Sequence, residues 1–322
     1  MTTFAKIQHY PMDKILIIGA CGQLGSELTI ELRKQYGADN VIASDRNEPP
    51  ESLRNGPFEL LDATDENRLL EVVKKHGINQ VYHLVAMLSA KSEDMPLFAW
   101  DLNMKSLLSV LELGRQKIIQ KIYWPSSIGV FGASSPRINT PQRTIMEPTT
   151  VYGISKQAGE RWCEYYYKKY GVDTRSIRYP GLISYKTLPG GGTTDYAVDI
   201  YFKAKQAKSF ECFLSEGTKL PMMYMDDAVR GTIELMQTES DHVKVRSSYN
   251  LSAMSFTPEM VYKAILKHHP DFQISYNPDF RQKIADTWPE SIDDSTARID
   301  WGWKPEFDLE KMTSEMLSNI TG

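Results

Sequence analysis

The sequence predicts an α/β protein in which a doubly wound parallel sheet is followed by a smaller C-terminal lobe. Up to Tyr179, short apolar runs typical of strands alternate with longer segments of helical periodicity. This alternation produces parallel strands that are covered by helices on both faces. Beyond Tyr179 it stops at Pro180, Pro189 and the three glycines at 190–192. We therefore expect an extension at 1–13, a sheet domain at 14–180, and a lobe at 181–322 from which some elements return to the sheet domain.

Six segments of the first part have the composition of strands. The first is an apolar run that ends at Gly19, which suits a strand buried on both faces of a parallel sheet. The fifth continues into Ser126 and Ser127. In chain order the predicted strands are 14–18, 41–44, 58–61, 80–85, 121–124 and 173–179.

Four longer segments between these strands have helical periodicity. Three of them stop at Gly37, Gly77 and Gly171, and glycine most easily adopts the left-handed conformation that follows many helices. The predicted helices are Gln23–Tyr36, 65–76, 98–116 and Val151–Tyr170. Each connects two strands, so we expect them to form the crossovers of the sheet.

Composition restricts the class of function. Of the 322 residues, 41% are apolar and the net charge is −4. This charge has no basic excess, which argues against nucleic acid as a partner. No apolar run reaches the roughly 20 residues that a membrane-spanning helix needs, so we expect no such helix. The cysteines Cys21, Cys163 and Cys212 are scattered, and we expect neither a disulfide framework nor a metal site.

The N-terminal extension allows two interpretations. Residues 1–12 contain no acidic residue and no secretory apolar core. They form either a loosely packed tail, which we prefer, or part of a mitochondrial leader. We expect a cytoplasmic protein if its source is bacterial and a mitochondrial matrix protein if its source is eukaryotic.

A glycine-rich turn lies between the first strand and the first helix. Gly19, Gly22 and Gly25 have the spacing GxxGxxG. Glycines there permit a tight turn, close approach of a pyrophosphate and close packing of helix against strand. The start of the helix, with Gln23 and Leu24, offers N–H groups to phosphates. The turn therefore predicts a dinucleotide site.

Acidic residues follow the second and third strands. Asp45 lies 20 residues after Gly25, where a carboxylate accepts hydrogen bonds from the adenosine ribose and repels a 2′-phosphate. This favours NAD over NADP, although the adjacent Arg46 would accommodate a phosphate. We expect Asp62 and Ala63 to meet the adenine, with helix capping as the alternative for Asp62.

Tyr152 and Lys156 are four residues apart and so share one face of the fourth predicted helix. Oxidation of an alcohol needs a base for the hydroxyl proton while hydride leaves for a nicotinamide. A free tyrosine has a pKa of about 10, and lowering it by about 3 units requires about 4 kcal/mol. A lysine ammonium and the positive nicotinamide ring can supply this. The same lysine can bind the nicotinamide ribose.

The position of this pair distinguishes it from an ordinary exposed helix pair. It follows by one loop the fifth strand, which ends at Ser126 and Ser127. A serine hydroxyl there can hold the substrate oxygen during proton transfer. We assign this role to Ser127, which lies three residues before Val130, and a supporting hydrogen bond to Ser126. The predicted catalytic residues are Tyr152, Lys156 and Ser127.

Together these motifs resemble those of the extended short-chain dehydrogenases/reductases. The resemblance extends from Lys14 to Asp227 and rests on 19–25, 83–86, Asn103, 126–132, Tyr152 with Lys156, and 224–228. It implies a Rossmann core, tightly bound NAD, and a homodimer formed through the two long helices. By the same resemblance, the residues that line the nicotinamide or support the cofactor are Leu84, Ala86, Asn103, Tyr179, Pro180 and Leu182.

Later segments resemble a narrower group, the L-threonine 3-dehydrogenases of the short-chain type. These segments are 178–184, 189–197, 288–295 and 300–303. The resemblance covers nearly the whole chain from Lys14 onward. It implies NAD-dependent oxidation of the 3-hydroxyl of L-threonine to 2-amino-3-oxobutyrate.

Threonine is small and zwitterionic, so its site needs donors for a carboxylate and an acceptor for an ammonium. The glycines at 190–192 can present N–H groups to an anion and can also act as a hinge. Thr193 or Thr194 would donate to the carboxylate, with Ser89 as another possible donor, and Asp195 would pair with the ammonium. Alternatively, Thr194 or Asp195 caps the helix that begins near Tyr196. The candidate substrate-binding residues are Ser89, Ser127, Tyr152, Thr193, Asp195 and Trp288, with simple packing as the alternative for Trp288.

Two other functions remain open on the sequence. A UDP-sugar 4-epimerase has the same tyrosine and lysine but binds a larger, nucleotide-linked substrate. A non-catalytic NAD-sensing protein often lacks the intact pair that Tyr152 and Lys156 form here.

Overall fold

The first strand of the chain lies at the centre of a parallel sheet, as its apolar sequence predicts. The computed structural model describes residues 13–186 and 190–320. The extension predicted at 1–12, with its alternative as a leader, and Pro189 lie outside the described residues. Ile15 to Ile18 are all buried, because helices cover both faces of the sheet.

Six strands form the central sheet in the order β3-β2-β1-β4-β5-β7, and every neighbouring pair is parallel. This order reverses direction between β1 and β4, as in doubly wound sheets that bind dinucleotides. The predicted fold class is confirmed. In chain order the first eight strands are β1 (Ile15–Ile18), β2 (Val41–Asp45), β3 (Phe58–Leu60), β4 (Gln80–His83), β5 (Lys121–Tyr123), β6 (Ser126–Ser127), β7 (Asp173–Arg175) and β8 (Ile177–Tyr179).

The sixth predicted strand, at 173–179, is wrong as a single element. At Ser176 the chain leaves β5 and continues as β8, which pairs with β6 on one side. On its other side β8 pairs with the later strand β12 (Tyr249–Asn250), and Tyr249 donates its N–H to the Ser176 carbonyl. An apolar pattern reports burial and not the identity of the neighbouring strand, so this change of partner had no sequence signal.

Helices cover the sheet where the sequence predicts them. Asp65 caps α2 by accepting the Arg68 N–H, and Thr150 caps α5 by accepting the Gly153 N–H. The first five helices are α1 (Gln23–Tyr36), α2 (Glu66–His76), α3 (Ser89–Asp94), α4 (Pro96–Arg115) and α5 (Val151–Tyr170). The short α3 was not predicted, and α4 begins at Pro96, two residues before the predicted start.

Described residues after Tyr179 form short strands and helices, and two of these elements contact elements of the first part of the chain. Helix α7 packs against α1, and β12 pairs with β8. Two small sheets have the orders β10-β14 and β13-β11-β9. The remaining elements are β9 (Gly181–Ile183), α6 (Tyr196–Gln206), β10 (Ser209–Cys212), β11 (Leu220–Tyr224), α7 (Met225–Gln237), β12 (Tyr249–Asn250), β13 (Met254–Phe256), α8 (Pro258–Leu266), β14 (Gln273–Tyr276), α9 (Phe280–Ala285), α10 (Ser295–Trp301) and α11 (Leu309–Asn319).

Apolar clusters lie on both faces of the central sheet and in the lobe. One face, with Leu16 and Ile18, packs against α2, α4 and α5, and the other, with Ile15 and Ile17, packs against α1 and α7. A third cluster joins α6, α8 and α11. Across residues 13–186 and 190–320, no helix is long and apolar enough to cross a membrane.

Candidate active site

A cleft opens at the carboxyl edge of the central sheet, where the strand order reverses between β1 and β4. Polar groups collect at this edge because the loops after parallel strands all leave on the same side. Seventeen of the predicted site residues line the cleft: Gly19, Gly22, Gln23, Leu24, Gly25, Leu84, Ala86, Ser89, Ser127, Tyr152, Lys156, Tyr179, Pro180, Leu182, Thr193, Asp195 and Trp288. Asp45, Asp62, Ala63 and Asn103 are predicted site residues that are not part of this lining.

The glycine-rich turn has the geometry of a phosphate cradle. Gly19 has a φ of +88°, which L side chains rarely adopt. A Cβ at Gly25 would lie 2.2 Å from the Gly19 carbonyl oxygen, so only glycine lets α1 start this close to β1. No side chain caps α1 and its first turn contains no acidic residue. The start of α1 therefore presents its N–H groups and its positive dipole end to the cleft, as a pyrophosphate requires.

Asp45 stands beside this cradle at the end of β2. Its carboxylate accepts the N–H of Cys21 at 3.1 Å and the N–H of Asn47 at 3.0 Å. These bonds hold the carboxylate next to the glycine-rich turn, in the position predicted for contact with an adenosine ribose. Burial raises the pKa of the Cys21 thiol to about 11, with the Asp45 charge adding to it, so this cysteine is a protonated thiol.

The residues predicted to meet the adenine have other contacts in this structure. The Asp62 carboxylate accepts hydrogen bonds from the N–H and the hydroxyl of Thr64, which lower its pKa. Ala63 is buried against the sheet. Asp65, rather than Asp62, caps the following helix. Contact of Asp62 and Ala63 with an adenine stays a prediction.

Asn103 does not line the cleft but hydrogen-bonds to residues next to it. It is buried in α4, accepts the N–H of Met87 at 2.8 Å and donates to the Ser155 hydroxyl at 3.0 Å. It thereby ties the loop after β4 to the helix that carries Tyr152. This contact set gives Asn103 a positioning function in the loop and helix.

Tyr152 and Ser127 face each other in the cleft. Ser127 ends β6, and its hydroxyl accepts the N–H of Gly129 at 3.1 Å. The Tyr152 ring lies against Gly129, where a Cβ would be 3.3 Å from the ring carbons. Burial raises the pKa of the Tyr152 phenol, and a hydrogen bond with Ser127 partly opposes this.

Lys156 lies one helical turn after Tyr152 and is only 3% exposed. Its ammonium donates to the Pro125 carbonyl at 2.6 Å and lies 4.5 Å from the centre of the Trp124 ring and 5.6 Å from that of Tyr152. Burial lowers the pKa of Lys156 to about 7, while Cys163 and Glu160 act in the opposite direction. The group can thus exchange its proton near neutral pH.

A buried ion pair beneath Ser127 was missed on the sequence. Glu160 and Arg178 form a two-point contact at 2.8 Å and 2.7 Å, and both side chains are almost fully buried. The Ser126 hydroxyl donates to the same Glu160 carboxylate at 2.7 Å. The signal available was an acidic residue four positions after Lys156, which places it on the helix face that points into the protein.

Tyr179 lines the cleft with its ring and turns its hydroxyl into the core. That hydroxyl accepts from Tyr123 at 2.7 Å and also contacts Thr232. Burial raises the pKa of Tyr179 to about 12. The phenol of Tyr179 is therefore a structural group, and its ring is the part available to a cofactor.

Ser89, Thr193 and Asp195 form the polar end of the cleft. The hydroxyls of Ser89 and Thr193 are 3.5 Å apart and buried. The Asp195 carboxylate accepts the N–H groups of Gly191 at 2.7 Å and Gly192 at 2.6 Å. The anion that these glycines bind here is thus Asp195 itself, and Asp195 makes no side-chain cap to α6.

Apolar residues complete the walls of the cleft. Trp288 is 5% exposed and lines it together with Leu84. Lining residues that the sequence reasoning did not assign to a ligand are Leu88, Pro125 and Ile128. Most of them are loop residues whose position depends on the fold and not on a local motif.

Comparison with known proteins agrees with this geometry. The model of the NAD-dependent epimerase/dehydratase family matches residues 15–252. An uncharacterized epimerase/dehydratase of Staphylococcus saprophyticus is 52% identical over 314 residues, which are 97% of this chain and 98% of the relative.

Solved structures extend the comparison. The holo form of an L-threonine dehydrogenase from Cupriavidus necator is 56% identical, with a TM-score of 0.94 over 96% of this chain and all of the other. An apo L-threonine 3-dehydrogenase from a metagenome, described as monomeric, is 49% identical, with a TM-score of 0.92 over 95% of this chain and 98% of the other. The UDP-glucose 4-epimerase of Thermotoga maritima is 22% identical, with a TM-score of 0.82 over 94% of this chain and 97% of the other. The last similarity shows the shared fold alone.

These matches cover most of the chain and include the glycine-rich turn and the Tyr152–Lys156 pair. The resemblance to extended short-chain dehydrogenases/reductases and the prediction of NAD as cofactor are both confirmed. The chain belongs to the NAD-dependent epimerase/dehydratase family.

Proposed function

We propose that this protein is an L-threonine 3-dehydrogenase, which oxidises the 3-hydroxyl of L-threonine to 2-amino-3-oxobutyrate. The observation that carries the proposal is a single cleft with Tyr152 and Ser127 together with the hydroxyls of Ser89 and Thr193 and the carboxylate of Asp195. Such a set matches a small zwitterion that carries one reactive hydroxyl. Relatives described as L-threonine dehydrogenases support it.

The catalytic groups would act on the 3-hydroxyl. Tyr152 removes the hydroxyl proton, and the Ser127 hydroxyl holds the substrate oxygen during the transfer. Lys156 binds the nicotinamide ribose and places a positive charge beside the Tyr152 ring. Bound NAD supplies the acceptor for the hydride that leaves C3.

The substrate carboxylate and ammonium would bind at the polar end of the cleft. Ser89 and Thr193 have hydroxyls that can donate to the carboxylate. Burial raises the pKa of Asp195, while the N–H groups of Gly191 and Gly192 and the charge of Arg281 act in the opposite direction, so a further positive charge would stabilise the carboxylate. An arriving ammonium would supply that charge, which makes Asp195 its proposed partner. The N–H groups of Gly191 and Gly192 are already used by Asp195, so we assign them to its placement.

The experiment that tests this function compares substrates for NADH formation by the purified protein. We expect NADH absorbance to rise with L-threonine and NAD and to stay flat with UDP-glucose. Interconversion of UDP-glucose and UDP-galactose without threonine turnover would overturn the proposal in favour of an epimerase. NAD binding without turnover of any of these substrates would overturn it in favour of a non-catalytic NAD-binding protein.

A further inference from the structure

His83 ends β4 next to the cleft, and its ring is fully buried. Its Nε2 lies 3.0 Å from the Ser106 hydroxyl. Ser106 donates its only proton to the Leu102 carbonyl at 2.6 Å, so it can only accept from the ring. The proton of His83 is therefore on Nε2, and Nδ1 carries a lone pair.

That lone pair lacks a partner within the described part of the chain. A buried acceptor without a hydrogen bond costs free energy, and such groups in native proteins normally have a functional or solvent partner. The strands around His83 show which donor is near. Tyr82 of β4 is paired with Tyr123 of β5, and His83 and Trp124 directly follow this pair.

Both side chains point to the same face of the sheet. Val81 and Trp124 belong to the cluster on the α4 and α5 face, and side chains two apart on a strand share a face, so His83 lies there too. The ammonium of Lys156 covers the Trp124 ring at 4.5 Å from its centre. Lys156 has three N–H donors, and among the described residues one hydrogen bond is seen, to Pro125. An acceptor without a donor thus lies on the same face of the sheet as a donor with unused protons, and the charge of Lys156 acts on the His83 ring.

We propose that His83 is a positioning residue for Lys156, in which one buried water accepts a hydrogen bond from the ammonium and donates one to the Nδ1 lone pair. This inference rests on the proposed roles of Tyr152 and Lys156. Burial and the charge of Lys156 lower the pKa of His83 to about 3, so the ring stays a neutral acceptor at working pH. Its effect is to favour the charged form of Lys156, against the burial that disfavours it.

Several other groups also lie around Lys156 or affect its pKa, and a test of His83 must leave them unchanged. On its own helix these are Tyr152, Glu160 and Cys163. From α4 the groups at this place are Ser106 and Asn103, which do not titrate. His83 is thus the titratable group that faces Lys156 from the sheet. Without its acceptor the pKa of Lys156 should fall, fewer ammonium groups remain at neutral pH, and the pKa of Tyr152 should rise.

Two substitutions separate the nitrogens of the ring. In His83→Asn the amide oxygen can occupy the place of Nδ1, which keeps an acceptor for the water bound to Lys156 and loses the Ser106 contact. In His83→Gln the amide reaches the place of Nε2, which keeps the Ser106 contact and loses the acceptor. The measurement is the ultraviolet titration of the Tyr152 phenol with NAD bound, with each variant compared with the same protein carrying Tyr152→Phe.

We expect His83→Gln to raise the pKa of Tyr152 by about one pH unit, as loss of a hydrogen bond to a charged group would. His83→Asn should leave it close to the wild-type value. Equal shifts in the two variants, or no shift in either, would overturn the proposal. This experiment does not measure threonine turnover. Its result can therefore be interpreted even if L-threonine is not the substrate.

A second measurement does not depend on whether a His83 variant folds. Nitrogen NMR of the histidine rings in the wild-type protein should show one ring with its proton on Nε2 that stays neutral between about pH 5 and pH 8. Lys156→Met should move the Nδ1 resonance of that ring, since the water that donates to it loses its bond to the ammonium. A proton on Nδ1, or an unmoved resonance in Lys156→Met, would contradict the inference.

Discussion

Tyr152 and Lys156 are each buried, and burial moves both pKa values away from the charged forms that catalysis needs. The pKa of the phenol is raised, and that of the ammonium is lowered to about 7. The lysine charge, 5.6 Å from the tyrosine ring, therefore acts against a desolvation cost that the same cleft creates. In the proposed mechanism, the Ser127 hydrogen bond and the positive nicotinamide ring supply the remaining stabilisation of the phenolate.

At the residue scale, the substitution Tyr152→Phe tests the proposed role of Tyr152 as the general base. The change removes only the hydroxyl, so NAD affinity measured by calorimetry should stay within about threefold, the usual range for a truncation outside the main contacts. Threonine-dependent NADH formation should fall by about 10²- to 10⁴-fold, the usual contribution of a general base. Turnover close to that of the wild type would remove Tyr152 from the mechanism.

Helix α5 connects the proposed catalytic residues to buried ion pairs and hydrogen bonds of the protein core. It carries Tyr152 and Lys156 toward the cleft and, one turn later, Glu160 toward Arg178 of β8. Arg178 in turn donates to Asn250 of β12 at 2.9 Å. The helix is therefore anchored, through charged hydrogen bonds, to the strand that precedes the cleft residues Tyr179 and Pro180.

Glu160→Gln tests this anchor at the scale of the element. Loss of one charge leaves the buried Arg178 uncompensated, so the free energy of unfolding in urea should fall by about 3–5 kcal/mol. A second substitution, Arg178→Met, should recover much of the loss because no buried charge remains. The matched control is Glu164→Gln on the same helix, where the exposed pair with Arg161 should cost under about 1 kcal/mol. A cost for Glu160→Gln as small as that of the control would show that the pair is not an anchor.

At the scale of the whole molecule, apolar side chains remain exposed on the two long helices. Leu97 of α4 is 81% exposed, and Phe98 and Trp100 follow it. On α5, Trp162 and Tyr165 are exposed, whereas their neighbour Tyr166 is buried. Large exposed apolar residues often mark interaction surfaces, and their presence on both α4 and α5 supports the homodimer that the family resemblance implies. A relative described as monomeric shows that the family does not decide the oligomeric state.

Trp162→Glu combined with Leu97→Glu tests this surface. If the protein is a dimer through α4 and α5, the charges would be buried without partners, and sedimentation should show a monomer at concentrations where the wild type is a dimer. Ile299→Glu is the control, since Ile299 is 82% exposed on α10 and lies on neither long helix. A monomeric wild type, or a dimer that survives the double change, would contradict the predicted interface.

Several elements could be predicted because their causes are local. Helices α1 and α5 have the bounds that periodicity and a terminal glycine indicate. The single strand predicted at 173–179 failed, because which strand pairs with which depends on the rest of the sheet. Pro125 also divides the predicted fifth strand, since it has no N–H to donate to a neighbouring strand.

The sequence by itself determined the fold class, the cofactor and the cleft residues that stand in motifs. These follow from residue chemistry at short range: glycines that allow a tight turn, and a tyrosine and a lysine on one helical face. Only the tertiary structure decided which polar groups are already paired. Asp195 takes the glycine N–H groups, Glu160 pairs with Arg178, and the His83 lone pair has no partner among the described residues. Such pairing joins residues far apart in the chain, and burial sets its strength, so neither is written in a local pattern.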